Sequence, residues 1–101
     1  MGKGIYTIQA IHRAVNLLRL LLKNPDGLCL DEISLRSGLH RATAYRMLMN
    51  LLDEGLIERD PSMIYRLGPL CIQLGGAALS GMSWKDIAEP IMSEITEMTR
   101  E

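Results

Sequence analysis

Arg41, Thr43, Tyr45, Arg46 and Asn50 fall within ten residues of one another, in a stretch bounded by Gly38 and Gly55. A guanidinium is a planar fork of donors that matches a guanine edge or a phosphate. Hydroxyl and amide groups serve the same acceptors. At about 100° per residue, one helix face carries Ala42, Arg46, Met49, Asn50 and Asp53, with Thr43 and Tyr45 flanking it. The other face carries Ala44, Met47, Leu48, Leu51 and Leu52 and is apolar. Such a set suits recognition rather than bond-making. The other chemistry-bearing residues do not converge. His12 and His40 stand alone, and Cys29 and Cys71 lie far apart, with neither metal nor redox spacing. Asp31 and Glu32 are more simply a helix start, where the macrodipole favours acids, than a catalytic pair. No nucleophile elbow or phosphate loop occurs. The seven methionines read as core and interface filler. The expectation is a non-enzyme without a cofactor or metal.

Positioning these residues requires a particular order of elements. Ile11, Ala14, Val15, Leu18, Leu21 and Leu22 recur at three- and four-residue steps, predicting an amphipathic helix over Ile8–Lys23 with these residues inward. Asn24-Pro25-Asp26-Gly27 ends it. A short helix follows over Leu30–Ser37, with Cys29 as a poor N-cap three residues before Glu32. Gly38 breaks the pattern. A third helix runs from His40 or Arg41 to Glu54 and stops at Gly55. Leu56–Arg59 reads as a strand, Asp60-Pro61-Ser62-Met63 as a turn and Ile64–Leu67 as the return strand. Leu70–Leu79 is an apolar helix weakened by Gly75-Gly76. A last helix over Trp84–Glu101 carries Ile87, Ala88, Ile91, Ile95 and Met98 on one stripe.

Helix, helix, tight turn, helix and hairpin is the order of a winged helix-turn-helix. The fold class is mainly α with a small β-hairpin, followed by a linker helix and a C-terminal helix. Leu30–Met49 resembles the general helix-turn-helix pattern, with Ser34 as its small residue and Gly38 as its turn glycine. Its buried positions would be Ile33, Leu39, Ala44 and Met47.

Bulk charge is not what would bind a polyanion here. Eleven basic against twelve acidic residues give a formal charge of -1. Residues 1–66 hold nine basic and seven acidic side chains, net +2, and residues 67–101 hold two and five, net -3. This disfavours indiscriminate charge-driven binding. Phe is absent and aromatics are 4%, which disfavours single-strand binders that need stacking platforms. The cysteine usage, and the lack of a signal peptide or bilayer-length apolar run, lead to the expectation of a soluble cytoplasmic protein with no membrane partner.

Longer matches are more specific. Gly38-Leu39-His40-Arg41-Ala42-Thr43-Ala44-Tyr45-Arg46-Met47-Leu48, with Leu51 and Glu54-Gly55-Leu56-Ile57, resembles the turn and recognition helix of the isocitrate lyase regulator (IclR) family of bacterial transcription factors. Tyr65-Arg66-Leu67-Gly68-Pro69 and Leu74-Gly75 resemble the family's wing exit and linker helix. Ile8–Ala14 resembles its opening helix, and Ala88-Glu89-Pro90-Ile91-Met92 the entry to its effector domain. There are departures. His40 replaces a usual Pro, Ala42 a usual Ser, and Cys29 a usual Ser or Thr. Ala42 has no hydroxyl to donate, but its methyl can touch a thymine methyl. The family's effector domain is longer than all that is here, so the chain is expected to be a fragment.

The resemblance implies a division into three parts. Residues 1–68 are a winged helix-turn-helix, 69–83 a linker helix, and 84–101 the first helix of a truncated effector-binding domain. It implies that the helix from Arg41 to Glu54 lies in the major groove of a double-stranded operator, with Arg41 and Arg46 on guanine or phosphate. Thr43, Tyr45 and Asn50 add hydroxyl and amide contacts. Arg59, Ser62 and Arg66 belong to a wing over Leu56–Leu67 that tracks the backbone, and Arg36 and Ser37 suit phosphate positioning. Blander roles exist: Arg46 paired with Asp53 or Asp60, Tyr45 packed on the wing, Arg66 tied to Glu58. A homodimer through the linker helix would cover Leu70, Ile72, Leu74, Ala77 and Leu79. A small-molecule effector would bind only in the absent domain. The alternative function is a winged-helix protein-interaction module, to which Asp53, Glu54, Glu58 and Asp60 lend acidity.

Overall fold

A computed structural model describes residues 7–83. The expected helix over Trp84–Glu101, and with it the 84–101 unit, lies outside the described residues. Helix α1 spans Gln9–Leu22, α2 Leu30–Ser37 and α3 Arg41–Asp53. Strands β1 (Ile57–Arg59) and β2 (Tyr65–Leu67) form an antiparallel hairpin, with Ile57 opposite Leu67 and Arg59 opposite Tyr65. Helix α4 spans Pro69–Ser80. Its first residue is the proline itself, whose fixed φ and missing N–H suit the first helical position.

The core is Leu17, Leu21, Leu28, Ile33, Leu48, Leu51, Ile57 and Tyr65, with Ala44 also fully buried. Within α1 the inward stripe is rotated from the one the spacing suggested. Leu17 is buried, whereas Ile11, Val15 and Leu22 are exposed. The helix is apolar over more of its circumference than one core contact needs, so periodicity alone does not select the face. In α3, Ala44, Leu48 and Leu51 are buried and Met47 and Leu52 half-buried, as their spacing requires. Met49, assigned to the outer face, instead packs against the core.

Tyr65 is the largest fully buried side chain. Its backbone pairs on both sides of β2. Beyond the β1 ladder, Leu28 N donates to Tyr65 O at 3.0 Å and Tyr65 N donates to Leu28 O at 2.8 Å. The α1–α2 loop thus pairs with the free side of β2 through a single bridged residue. Gly27 permits this approach. Its φ is +94°, and a Cβ there would stand 2.5 Å from Ile64 Cγ2 and 2.8 Å from Tyr65 O. Gly38 closes α2 at φ +77° in the left-handed region, the usual helix C-cap role of glycine.

Candidate nucleic-acid interface

The turn between α2 and α3 is held by its own side chains. Ser34 Oγ donates to Leu39 O at 2.7 Å. Ser37 Oγ accepts from Leu39 N at 3.2 Å and donates to Ser34 O at 3.4 Å. The Ser37 hydroxyl is therefore engaged within the turn, and its first effect is to aim α3. The start of α2 is held similarly. Glu32 Oε1 accepts from Cys29 N at 3.0 Å, completing a capping box in which Cys29 stands as the cap residue. This bond holds the Glu32 carboxyl below its ordinary pKa.

Helix α3 presents Arg41, Ala42, Tyr45, Arg46 and Asn50 as exposed and Thr43 as half-buried. They divide between two open grooves. One, of about 700 Å³, is walled by Asp31 of α2, by Arg41, Ala42 and Tyr45, and by Ser62 and Met63 at the wing tip. The other, of about 740 Å³, has Thr43, Arg46 and Asn50 facing Arg13 of α1. Among the described residues the Arg46 side chain has no ion-pair or hydrogen-bond partner, neither Asp53 nor Asp60. Arg41 does: its Nε lies 2.6 Å from Asp31 Oδ1, on an exposed rim. Asn50 Nδ2 donates to Arg46 O at 2.8 Å, within its own helix.

The wing holds its arginines differently from the expectation. Arg66 Nη1 pairs with Asp60 Oδ2 at 2.9 Å, not with Glu58. Asp60 Oδ1 also accepts from Ser62 N at 2.9 Å and Ile64 N at 3.1 Å. The Ile64 amide first, and the Arg66 guanidinium second, hold the Asp60 carboxyl below the usual aspartate range. Arg59 Nη1 donates to Tyr65 Oη at 3.4 Å and lies 4.0 Å from Met49 Sδ. Its guanidinium carbon lies over the Tyr65 ring, 5.8 Å from the centroid, within cation–π range. Arg59 thus ties β1 to β2 and α3. Arg36 Nη1 donates to Asn24 Oδ1 at 3.1 Å, which joins α2 to the α1 exit. Two groove residues escaped the sequence reading. Asp31 reads in the sequence as a helix-start acid, and nothing in the spacing singles out Arg13. Asp31 crosses to Arg41 on α3, and Arg13 lines the second groove, placements that spacing along one helix does not reveal.

Among the described residues no three His, Cys, Asp or Glu side chains converge on a metal-sized site, and no helix is long and apolar enough to cross a membrane.

The profile of the IclR helix-turn-helix domain matches residues 10–61. An HTH-type transcriptional regulator of Mycobacterium tuberculosis is 38% identical over 95 residues, covering 93% of this chain and 35% of that protein. A DNA-binding transcriptional repressor of Escherichia coli is 31% identical over 94 residues, covering 92% of this chain and 33% of that protein. The crystal structure of an IclR transcriptional regulator from Alicyclobacillus acidocaldarius superposes with a TM-score of 0.66 at 34% identity, over 72% of this chain and 30% of that one. The chain spans about a third of the length of the curated relatives it matches.

Proposed function

Since the chain belongs to the IclR family of helix-turn-helix transcriptional regulators, we propose that it recognises a double-stranded operator by laying α3 in the major groove. The observation that carries this is the outer ridge of α3. Among the described residues the Arg46 side chain is exposed with no ion-pair or hydrogen-bond partner, while the Ser34 and Ser37 hydroxyls hold the turn behind it. An unpaired guanidinium on a rigidly aimed helix keeps its donors for a ligand. Ala42, beside it, offers a methyl to a thymine. Arg41 and Tyr45 line one side of the ridge and Thr43 and Asn50 the other, which suits contacts to both groove walls.

The wing acts in this scheme through Ser62 at its tip, with Arg66 held by Asp60 beside it. Ser37 contributes chiefly by holding the turn, and Arg36 by joining α2 to the α1 exit. Residues 7–68 form the reading head, and α4 is the linker through which two copies associate. Its Ile72, Leu74 and Leu79 are exposed, as a dimerising helix would leave them in a single chain. The relatives are named as regulators, not enzymes, and a protein-docking winged helix is not favoured beside them.

The test is fluorescence anisotropy on a duplex enriched from a random pool. Arg46→Ala should weaken binding by about tenfold, within the roughly 1–3 kcal/mol of one good base contact. Unchanged affinity would remove α3 from the interface.

A further inference from the structure

Adjacent acids at the start of α2 are put to different uses. Glu32 turns back to cap its own helix on Cys29 N. Asp31 instead crosses to α3, where its Oδ1 takes Arg41 Nε at 2.6 Å. Arg41 is the first residue of α3, at the end that enters the major groove in this docking mode. Only Nε is engaged. Among the described residues Nη1 and Nη2 of Arg41 have no hydrogen-bond partner. Both side chains are largely exposed, at 68% and 74%, so the contact does not serve the core. Ala42 alongside is small, and the groove between Arg41 and the wing tip is open.

We propose that Asp31 is a specificity-determining residue: by holding Arg41 through Nε, it presents Nη1 and Nη2 as a pre-aimed pair of donors to a guanine edge. This rests on the operator-binding function proposed above. A free arginine has several rotatable bonds and can serve any phosphate within reach. A carboxylate on Nε removes part of that freedom and leaves the two terminal nitrogens for the O6 and N7 acceptors of guanine. The same carboxylate repels phosphate, so a backbone contact at this point is penalised while a base contact is not. Asp31 therefore lowers affinity for all duplexes slightly and raises discrimination among them.

The experiment uses the full chain and a duplex enriched by it from a random pool. Each guanine is then replaced singly by 7-deazaguanine, which pairs normally but lacks the N7 acceptor. The wild type should lose about tenfold at one guanine. Asp31→Ala should lose most of that sensitivity while binding unrelated duplexes at least as well as before. Arg41→Ala should lose all of it, with no further change in the double variant. Asp31→Asn, which keeps an acceptor oxygen, should fall between wild type and Asp31→Ala. Thermal melts of each variant show that the fold persists, since a residue needed only for α2 would move the melt and not the ratio. Undiminished sensitivity in Asp31→Ala, or effects of the two single variants that simply add, would overturn the proposal. Failure of the wild type to enrich any duplex at low salt would instead remove the operator-binding function on which it rests.

Discussion

Asp60 accepts from the Ser62 and Ile64 amides and from the Arg66 guanidinium, so one carboxylate shapes the wing turn and neutralises its cation. Because these partners favour the ionised form, its pKa in the folded chain lies below the usual value near 3.8. The resulting stability is fully present above that value and is lost as pH falls through the lower, folded one. Asp60→Asn should therefore melt at lower temperature than wild type near neutral pH. The gap should close toward about pH 2, where a protonated Asp60 resembles the amide. A gap independent of pH would deny the carboxylate this role. At this scale the sequence was informative about residue type and less so about use. Arg46 stands on the outer ridge of α3 as its position in the helix required. Arg59 and Arg66 are expected on a ligand, but Arg59 reaches Tyr65, its register partner, and Arg66, opposite Glu58 in the register, reaches past it to Asp60. Spacing along a strand says which face a side chain is on, not which neighbour it finds.

The elements were legible wherever a breaker had one meaning. Helix α2 runs from Leu30 to Ser37 as expected, because Cys29, Glu32 and Gly38 mark its ends independently. Helix α1 lies where expected, with Ala14, Leu18 and Leu21 inward, but Ile11, Val15 and Leu22 are exposed, since Ile11 and Val15 are as apolar as the buried Leu17. The bridge at Leu28 has no signature in the sequence, because a single bridged residue has no periodicity. Gly27 and Gly38 show how differently two left-handed glycines can matter. At Gly38 an added Cβ meets nothing within 4 Å, so Gly38→Ala should cost only the left-handed backbone term, roughly 1–2 kcal/mol. At Gly27 the same methyl collides with Ile64, Tyr65 O and the Arg66 stem, so Gly27→Ala should cost clearly more. For a domain of this size each kcal/mol lowers the melting temperature by about 4–8 °C. Thermal denaturation in parallel checks the order, and equal losses would mean that the Leu28–Tyr65 rung is dispensable.

Over the whole molecule, the formal charge of -1 conceals a mildly basic reading head. That head has few cations to spare, because Arg59, Arg66 and Arg36 are occupied with protein partners. A single copy should therefore bind weakly, and two linked copies much better, since the second contact becomes intramolecular. The α4 face is the proposed link. Ile72, 77% exposed, can accept a charge without disturbing the core. Ile72→Glu should leave the melt unchanged, shift sedimentation to the monomer and weaken operator binding by about a hundredfold. A dimer persisting in Ile72→Glu would place the contact elsewhere. The central claim, that α3 and the wing dock on duplex DNA through a few placed cations, is tested most directly by operator affinity against salt. The account predicts a linear fall of log affinity with log salt, with a slope of roughly -3 or steeper, equivalent to at least about three phosphates. A slope near zero, or no duplex binding even at low salt, would contradict it.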